Sequence, residues 1–542
     1  MNKFHSLART GFAFTALLSV AQAQTALLAE KGPLVPTAQL PQFGRGLALS
    51  SDRLFVGSPG AGTWQLPIGG MQVYERAPSG EWNPTATLQA PAPNPGDEYG
   101  FAVASSGAWM IVGAPSDQPT GASLQTGVAY VYQRQPDASW SLHAELAPPN
   151  GKFADIAGAA VVLRPGRALV AAPQRDFSTY DEGAAYLFEL GPSGQWTQSA
   201  ELRATTPVTH AYLGLSAALQ GDRALLGAPG AGSGTAHVFE RLASGVWSEV
   251  ATLQAPDPTH SDMFGAALAL DGERAAVGAY KHSHQGVKRG AVYLYERSAG
   301  GAWNFVQELR SDNGTPGEQF GWSVALEGDA LLVGAPGNNE TVALSGRAYR
   351  FLRDAAGVWK QSDVFAMPAL QQGAGYGLSA VLADGRCAVA APFAAAGGVQ
   401  VGRVFVYDPT PLDASDSRLS LAQGGAISFE LDAGFAHAGE LALLLGSTSG
   451  ALPGQVIAPG VLLPLNADAY FLYTLAQPNH APLSGSLQVL GAGGAGSASF
   501  TLPAGTSASL VGTTVHHAFA TIALATGTAT FASNARGIAL VP

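Results

Sequence analysis

The sequence predicts an all-β chain: a seven-bladed β-propeller of four-stranded blades followed by a small β-sandwich-like domain. Three observations predict it. A seventeen-residue unit recurs seven times in constant register, six of the copies are followed by a strand-like segment led by tryptophan, and the repeat stops near residue 408, where the composition changes. Self-similarity at a period of about fifty residues is the signature of an array in which no single unit can bury its own apolar face.

The unit is clearest in "FGWSVALEGDALLVGAP", from Phe320 to Pro336. Two alternating apolar runs flank a tight turn, which reads as a hairpin. Its copies begin at Phe43, Tyr99, Ala157, Leu213, Phe264 and Tyr376. The first glycines, Gly44, Gly100, Gly158, Gly214, Gly265, Gly321 and Gly377, recur every 51 to 58 residues, and each stands thirteen positions before a Gly-Ala-Pro-like triplet. Length varies only outside the unit, as expected when insertions fall in loops.

A third strand follows each triplet, as in "GVAYVYQR" from Gly127 and "GAVYLYER" from Gly290. A fourth is led by Trp82, Trp140, Trp196, Trp247, Trp303 or Trp359, each eighteen positions ahead of the next first glycine. Glycine, alanine and valine in the first strand suit the crowded axis of a propeller, and the tryptophans are expected to wedge between blades. The seventh unit lacks a tryptophan strand, and an open last blade would leave an unpaired edge. Residues 33–41, containing "PTAQL", are therefore predicted to close it, so that the propeller spans 33–408.

After a Pro-, Asp- and Ser-rich linker at 409–417, lysine and arginine nearly vanish, leaving Arg418 and Arg536. Runs such as "AISFELDAG", "ELALLLGS", "AYFLYTLA" and "HHAFATIAL" read as strands of a sandwich over 418–542. The adjacent His516 and His517 would face opposite ways on a strand, one exposed and one packed, and could not share one ion.

Residues 1–23 read as a secretory signal peptide, with basic Lys3 and Arg9, an apolar stretch and an Ala-Gln-Ala cleavage site. The expected location is extracellular, at the cell surface or periplasmic. The single Cys387 cannot bridge internally and sits in an apolar run as a small core residue. A net charge of −11 disfavours nucleic acid and anionic lipid as partners. With hydrophobic residues at 47% and charged residues at 12%, the composition excludes a disordered chain.

The aromatic-Gly start and Gly-Ala-Pro end of the units resemble FG-GAP repeats, which form the blades of the integrin α-chain propeller and of many secreted bacterial proteins. The resemblance covers about residues 33–408. It implies a propeller that binds ligands on one face and, in some members, calcium in DxDxDG loops between the first two strands of a blade. Here those connections are "SSD", "SSG", "RPG", "QGD", "DGE", "EGD" and "ADG". They are too short to supply the six or more oxygens calcium needs, so calcium is not expected there.

Candidate chemistry falls in the longer loops, all expected on one face. In the fifth unit "PDPTHSDMF" brings His260 and Asp262, and "YKHSHQGVKRG" brings His282 and His284. Three imidazoles and a carboxylate suit zinc or another transition metal, unless the loops are simply solvated and never converge. Acidic loop residues include Asp97 with Glu98, Asp117, Asp155, Asp176, Asp181 with Glu182, Asp257, Asp312 and Glu318, several placed where a carboxylate caps a turn. No nucleophile elbow, HExxH, Walker loop or dinucleotide fingerprint occurs. The expected function is non-enzymatic binding of an extracellular protein or glycan by a monomer with no transmembrane segment after signal cleavage. The alternatives are a polysaccharide hydrolase or lyase and a structural envelope component.

Overall fold

The computed structural model describes residues 29–542 except 37–40, 51, 61, 64–65, 78–80, 123, 313, 340–341, 355, 384–385, 397–398, 409–411, 415–417, 434–436, 438, 452–453, 459–460, 492–494 and 534. The predicted signal peptide and parts of the predicted linker and closing strand lie outside the described residues.

The chain divides into two units, one of residues 33–406 and one containing residues 407–542. In the first, the fold is all-β and propeller-like, built from repeated four-stranded antiparallel sheets whose strands follow one another in chain order. The fifth sheet is typical: Phe264–Asp271, Arg274–Ala279, Ala291–Arg297 and Trp303–Leu309. The second and third strands are buried along most of their length, so they read as near-continuous apolar runs. The fourth is exposed at alternate positions, matching its more polar sequence.

A bulge recurs in the outer strand pair of the first six sheets. In the fifth sheet Leu294 faces Gln307 and Tyr295 faces Phe305, which leaves Val306 unpaired. The extra residue bends the outer strand and strengthens its twist.

Neighbouring sheets are held by the two features the repeat keeps. Each leading tryptophan packs on the preceding sheet: Trp140 lies edge-on to Phe55 at 5.6 Å and Trp196 to Trp109 at 6.1 Å. In the later sheets Arg167 and Arg223 lie over Trp247 and Trp303, each 5.4 Å from the ring. Polar stitching runs alongside. Arg53, Arg223 and Arg274 donate to the turn carbonyls of Gly107, Gly272 and Gly328 in the next sheet at 2.8–2.9 Å.

The last of these sheets differs from expectation at its edge. Its order is Ser379–Ala383, Arg386–Ala391, Arg403–Asp408 and then Ala29–Leu34, not 33–41. Reach explains the shift. Crossing from the outer edge to the innermost strand spans three interstrand spacings, roughly 14 Å, whereas a strand ending at Pro41 would leave only Gln42, two Cα steps or about 7 Å, before Phe43. Ending at Leu34 gives the chain room, and Tyr74 Oη donates to the Val35 carbonyl just beyond it at 3.1 Å.

In the second unit, a four-stranded sheet that includes Gly425–Asp432 and Ala495–Leu502 shares one core with a larger sheet that includes Leu441–Ser447, Thr514–Ile522 and Arg536–Val541. Phe429, Leu431 and Phe500 from the first sheet meet Leu444, Phe519 and Ile538 from the second. Two expectations are corrected. Leu412–Ala414, assigned to the linker, pairs with Phe429–Leu431 as an edge strand. "AYFLYTLA" is not a strand but a helix, Ala469–Ala476. The run does not alternate, its buried Phe471 and Thr474 stand one turn apart, and Asp468 caps it by accepting from the Phe471 amide at 2.8 Å.

Candidate functional site

The site is set by the turn that enters each innermost strand. The residue before each aromatic-Gly position, Gln42, Glu98, Ile156, Tyr212, Met263, Gln319 or Gly375, adopts the left-handed conformation with φ between 50 and 65°. Its carbonyl accepts from the amide three residues on, as in Met263 to Ala266 at 3.0 Å and Gln319 to Trp322 at 3.1 Å. Non-glycine residues adopt this conformation only when their surroundings hold them there. Recurrence in every unit makes it a property of the scaffold.

The turn aims the residue after the first glycine at a shared cavity of about 410 Å³, lined by the innermost strands of all the sheets in this unit. At that position stand Arg45, Phe101, Ala159, Leu215, Ala266, Trp322 and Leu378. The Arg45 guanidinium lies 4.4 Å above the Phe101 ring, and Trp322 packs on Tyr280 with centroids 4.5 Å apart. Burial pulls the Arg45 guanidinium below its usual value, opposed by the Glu98 carboxylate, but an arginine so placed stays charged. The serines in the lining are already engaged: Ser216, Ser323 and Ser379 donate to carbonyls of the adjoining sheet at 2.6–2.9 Å. The lining is thus apolar and aromatic with one cation, and among the described residues it includes no carboxylate or imidazole.

The acidic residues singled out in the sequence lie away from this lining. Asp97, Asp155, Asp262 and Glu318, each two residues ahead of the aromatic position, are buried. Asp155 and Asp262 cap their turns, accepting from the amides of Lys152 and Thr259 at 2.6 Å. Each has a partner from the loop after the second strand. Asp155 pairs with Arg175 at 2.5 Å, Asp262 with His282 at 3.0 Å, and Glu318 with Asn338 at 3.1 Å. Where the acid is replaced, as by Ala211 and Ala374, the partner position is also alanine, Ala231 and Ala394. Asp117 fills that position beside Asp97 and accepts from Tyr130 Oη at 2.6 Å. Burial first, then the charge of Asp117, pushes the Asp97 carboxyl up to about 6, against the pull of the Asn94 amide.

In the fifth sheet the structure brings together two of the four residues proposed for metal. His282 is 2% exposed and its Nδ1 lies 3.0 Å from Asp262 Oδ2. His260 and His284 are exposed and stand outside the cluster. Two carboxylates take their place: Asp257 Oδ2 is 3.5 Å and Glu308 Oε1 4.0 Å from His282 Nε2. Asp257 also accepts from Tyr293 Oη at 2.9 Å, and Glu308 from Arg310 Nε at 2.5 Å. Glu308 escaped the sequence reading because it lies on the fourth strand, not a loop; the aligned Glu145 and Glu201 of earlier units were the available signal.

Comparison with protein families matches the FG-GAP repeat over residues 82–132, 247–295 and 303–351. Each match begins at a leading tryptophan and ends within the third strand of the following sheet, so it spans the junction between sheets. No curated protein matched the chain. Among the described residues no helix is long and apolar enough to cross a membrane. The matched segments coincide with the sheet junctions and their packed tryptophans, so the chain carries three FG-GAP repeats within a propeller-like, all-β fold.

Proposed function

We propose that the chain is a secreted, non-enzymatic binding protein: a seven-bladed propeller, closed by the strand at its N-terminal end, that engages an extracellular protein or glycan at the axial mouth of its loop face. The closed order of contacts supports the blade count, since the innermost strands touch in sequence and the last, Ser379–Ala383, touches the first, Leu47–Leu49. The N-terminal leader supports export. The shared core of the two C-terminal sheets supports a sandwich-like accessory domain.

The observation that carries the binding reading is the residue set after the first glycine. The glycine before it is invariant and the residue after it is always glycine, alanine or serine, yet this one varies from Arg45 through Phe101 to Trp322. Aromatic faces and one guanidinium suit stacking on a sugar ring or apolar side chain, with a carboxylate or sulfate held by Arg45. Acid–base chemistry would instead need carboxylates or imidazoles turned into the same cavity. A glycan array and a pull-down with the purified chain test the reading, run beside a panel of polysaccharides assayed for turnover. Binding without turnover is expected; turnover by the wild-type protein would replace this reading with the hydrolase or lyase alternative.

A further inference from the structure

We propose that His282, Asp257 and Glu308 form a binding site for a zinc-like divalent transition-metal ion on the fifth sheet, separate from the axial mouth. The ligand atoms of these three residues all lie within 4.8 Å of one another. His282 Nε2 faces Asp257 Oδ2 at 3.5 Å and Glu308 Oε1 at 4.0 Å. Ligand atoms about 2.0–2.1 Å from a tetrahedral ion stand roughly 3.4 Å apart, so little movement is needed to close the set.

The imidazole is prepared for this role. Asp262 takes the Nδ1 hydrogen at 3.0 Å, which leaves the Nε2 lone pair directed at the two carboxylates. That nitrogen is buried and makes no hydrogen bond. A buried nitrogen with no hydrogen bond, facing Asp257 and the Glu308 oxygen that also accepts from Arg310, is an arrangement a divalent cation would complete. Asp262, itself 1% exposed and fixed by Thr259, is a positioning residue of the carboxylate–histidine kind found behind metal ligands. Asp257 is half exposed, giving an entry path and room for a water as fourth ligand. Imidazole plus carboxylates favours zinc over calcium or magnesium, which prefer all-oxygen shells.

Isothermal titration of the metal-free full chain with zinc chloride near pH 7.5, backed by cobalt(II) absorption as a report of four-coordinate geometry, tests the site. One zinc per chain is expected. Asp257→Asn and Glu308→Gln should each weaken binding at least 10-fold, and Asp262→Asn by about 10–100-fold. The His260→Ala/His284→Ala double variant should bind as the wild type does. His282→Gln should abolish binding, and because that residue is buried the two carboxylate variants stand as independent evidence should it fail to fold. No zinc uptake by folded wild type would overturn the proposal. So would binding that survives Asp257→Asn and Glu308→Gln but is lost with His260 and His284.

Discussion

Gly278 and Gly321 meet backbone to backbone: a Cβ built on Gly278 would run into the Gly321 carbonyl of the next unit. This contact explains why the repeat keeps both an aromatic-Gly and a Gly-Ala-Pro motif. Gly321 also has a φ of +89°, and a Cβ there would press on the Ala291 carbonyl. Gly321→Ala therefore combines backbone strain with a clash that no rotamer relieves. A loss of about 2–4 kcal/mol is expected, read as a lower denaturation midpoint; Gly328→Ala, with open space around its Cβ, should cost about 1 kcal/mol.

The buried Asp97 makes the propeller-like unit sensitive to pH. Its carboxyl is raised to about 6 from an ordinary 3.8, so its favourable contribution is full below about pH 4 and is lost as the pH climbs through 6. Asp97→Asn keeps the shape without the charge. It should flatten the stability profile between pH 4 and 7 and stabilise the unit above pH 7 by about 1–3 kcal/mol, as measured by urea unfolding across that range.

The C-terminal unit should respond in the opposite sense. His517 is fully buried among Phe429, Phe500 and Tyr470, and burial, then the nearby His516, holds its imidazole down at about 3. A folded value depressed from 6.5 gives stability that is present above pH 6.5 and lost as the pH falls toward 3, on the order of 1.4 kcal/mol per unit. In His517→Phe that acid limb should disappear. Tyr470 Oη, 3.2 Å from His517 Nε2, would lose its hydrogen-bond partner, a constant cost of about 1 kcal/mol that leaves the slope readable.

Much of this fold could be read from sequence because its rules are local. The fourteen residues from Gly265 to Gly278 make one hairpin wherever they recur, and the Trp303 strand follows from its spacing alone. Legibility ended where distance in space decided. The closing strand was misplaced because "PTAQL" imitates a fourth strand, while the reach from edge to axis requires Ala29–Leu34. "AYFLYTLA" has the composition of a strand, and only the capping Asp468 argues for a helix. At the fifth sheet, loops adjacent in sequence suggested His260 and His284. Which groups converge depends on burial and on the outer strand's register past its bulge, and these bring Glu308 to His282. The axial mouth was present in the sequence as the variable column after the first glycine, but its meaning required knowing that this column faces the axis.

The central claim is that this column is the binding surface. The most direct test compares wild type with Arg45→Ala and Trp322→Ala on the glycan array and in the pull-down, with folding checked by unchanged unfolding midpoints. Ligands captured by wild type should be lost or weakened at least 10-fold in both variants, with no turnover in any of them. Full retention of binding by both folded variants would contradict the claim.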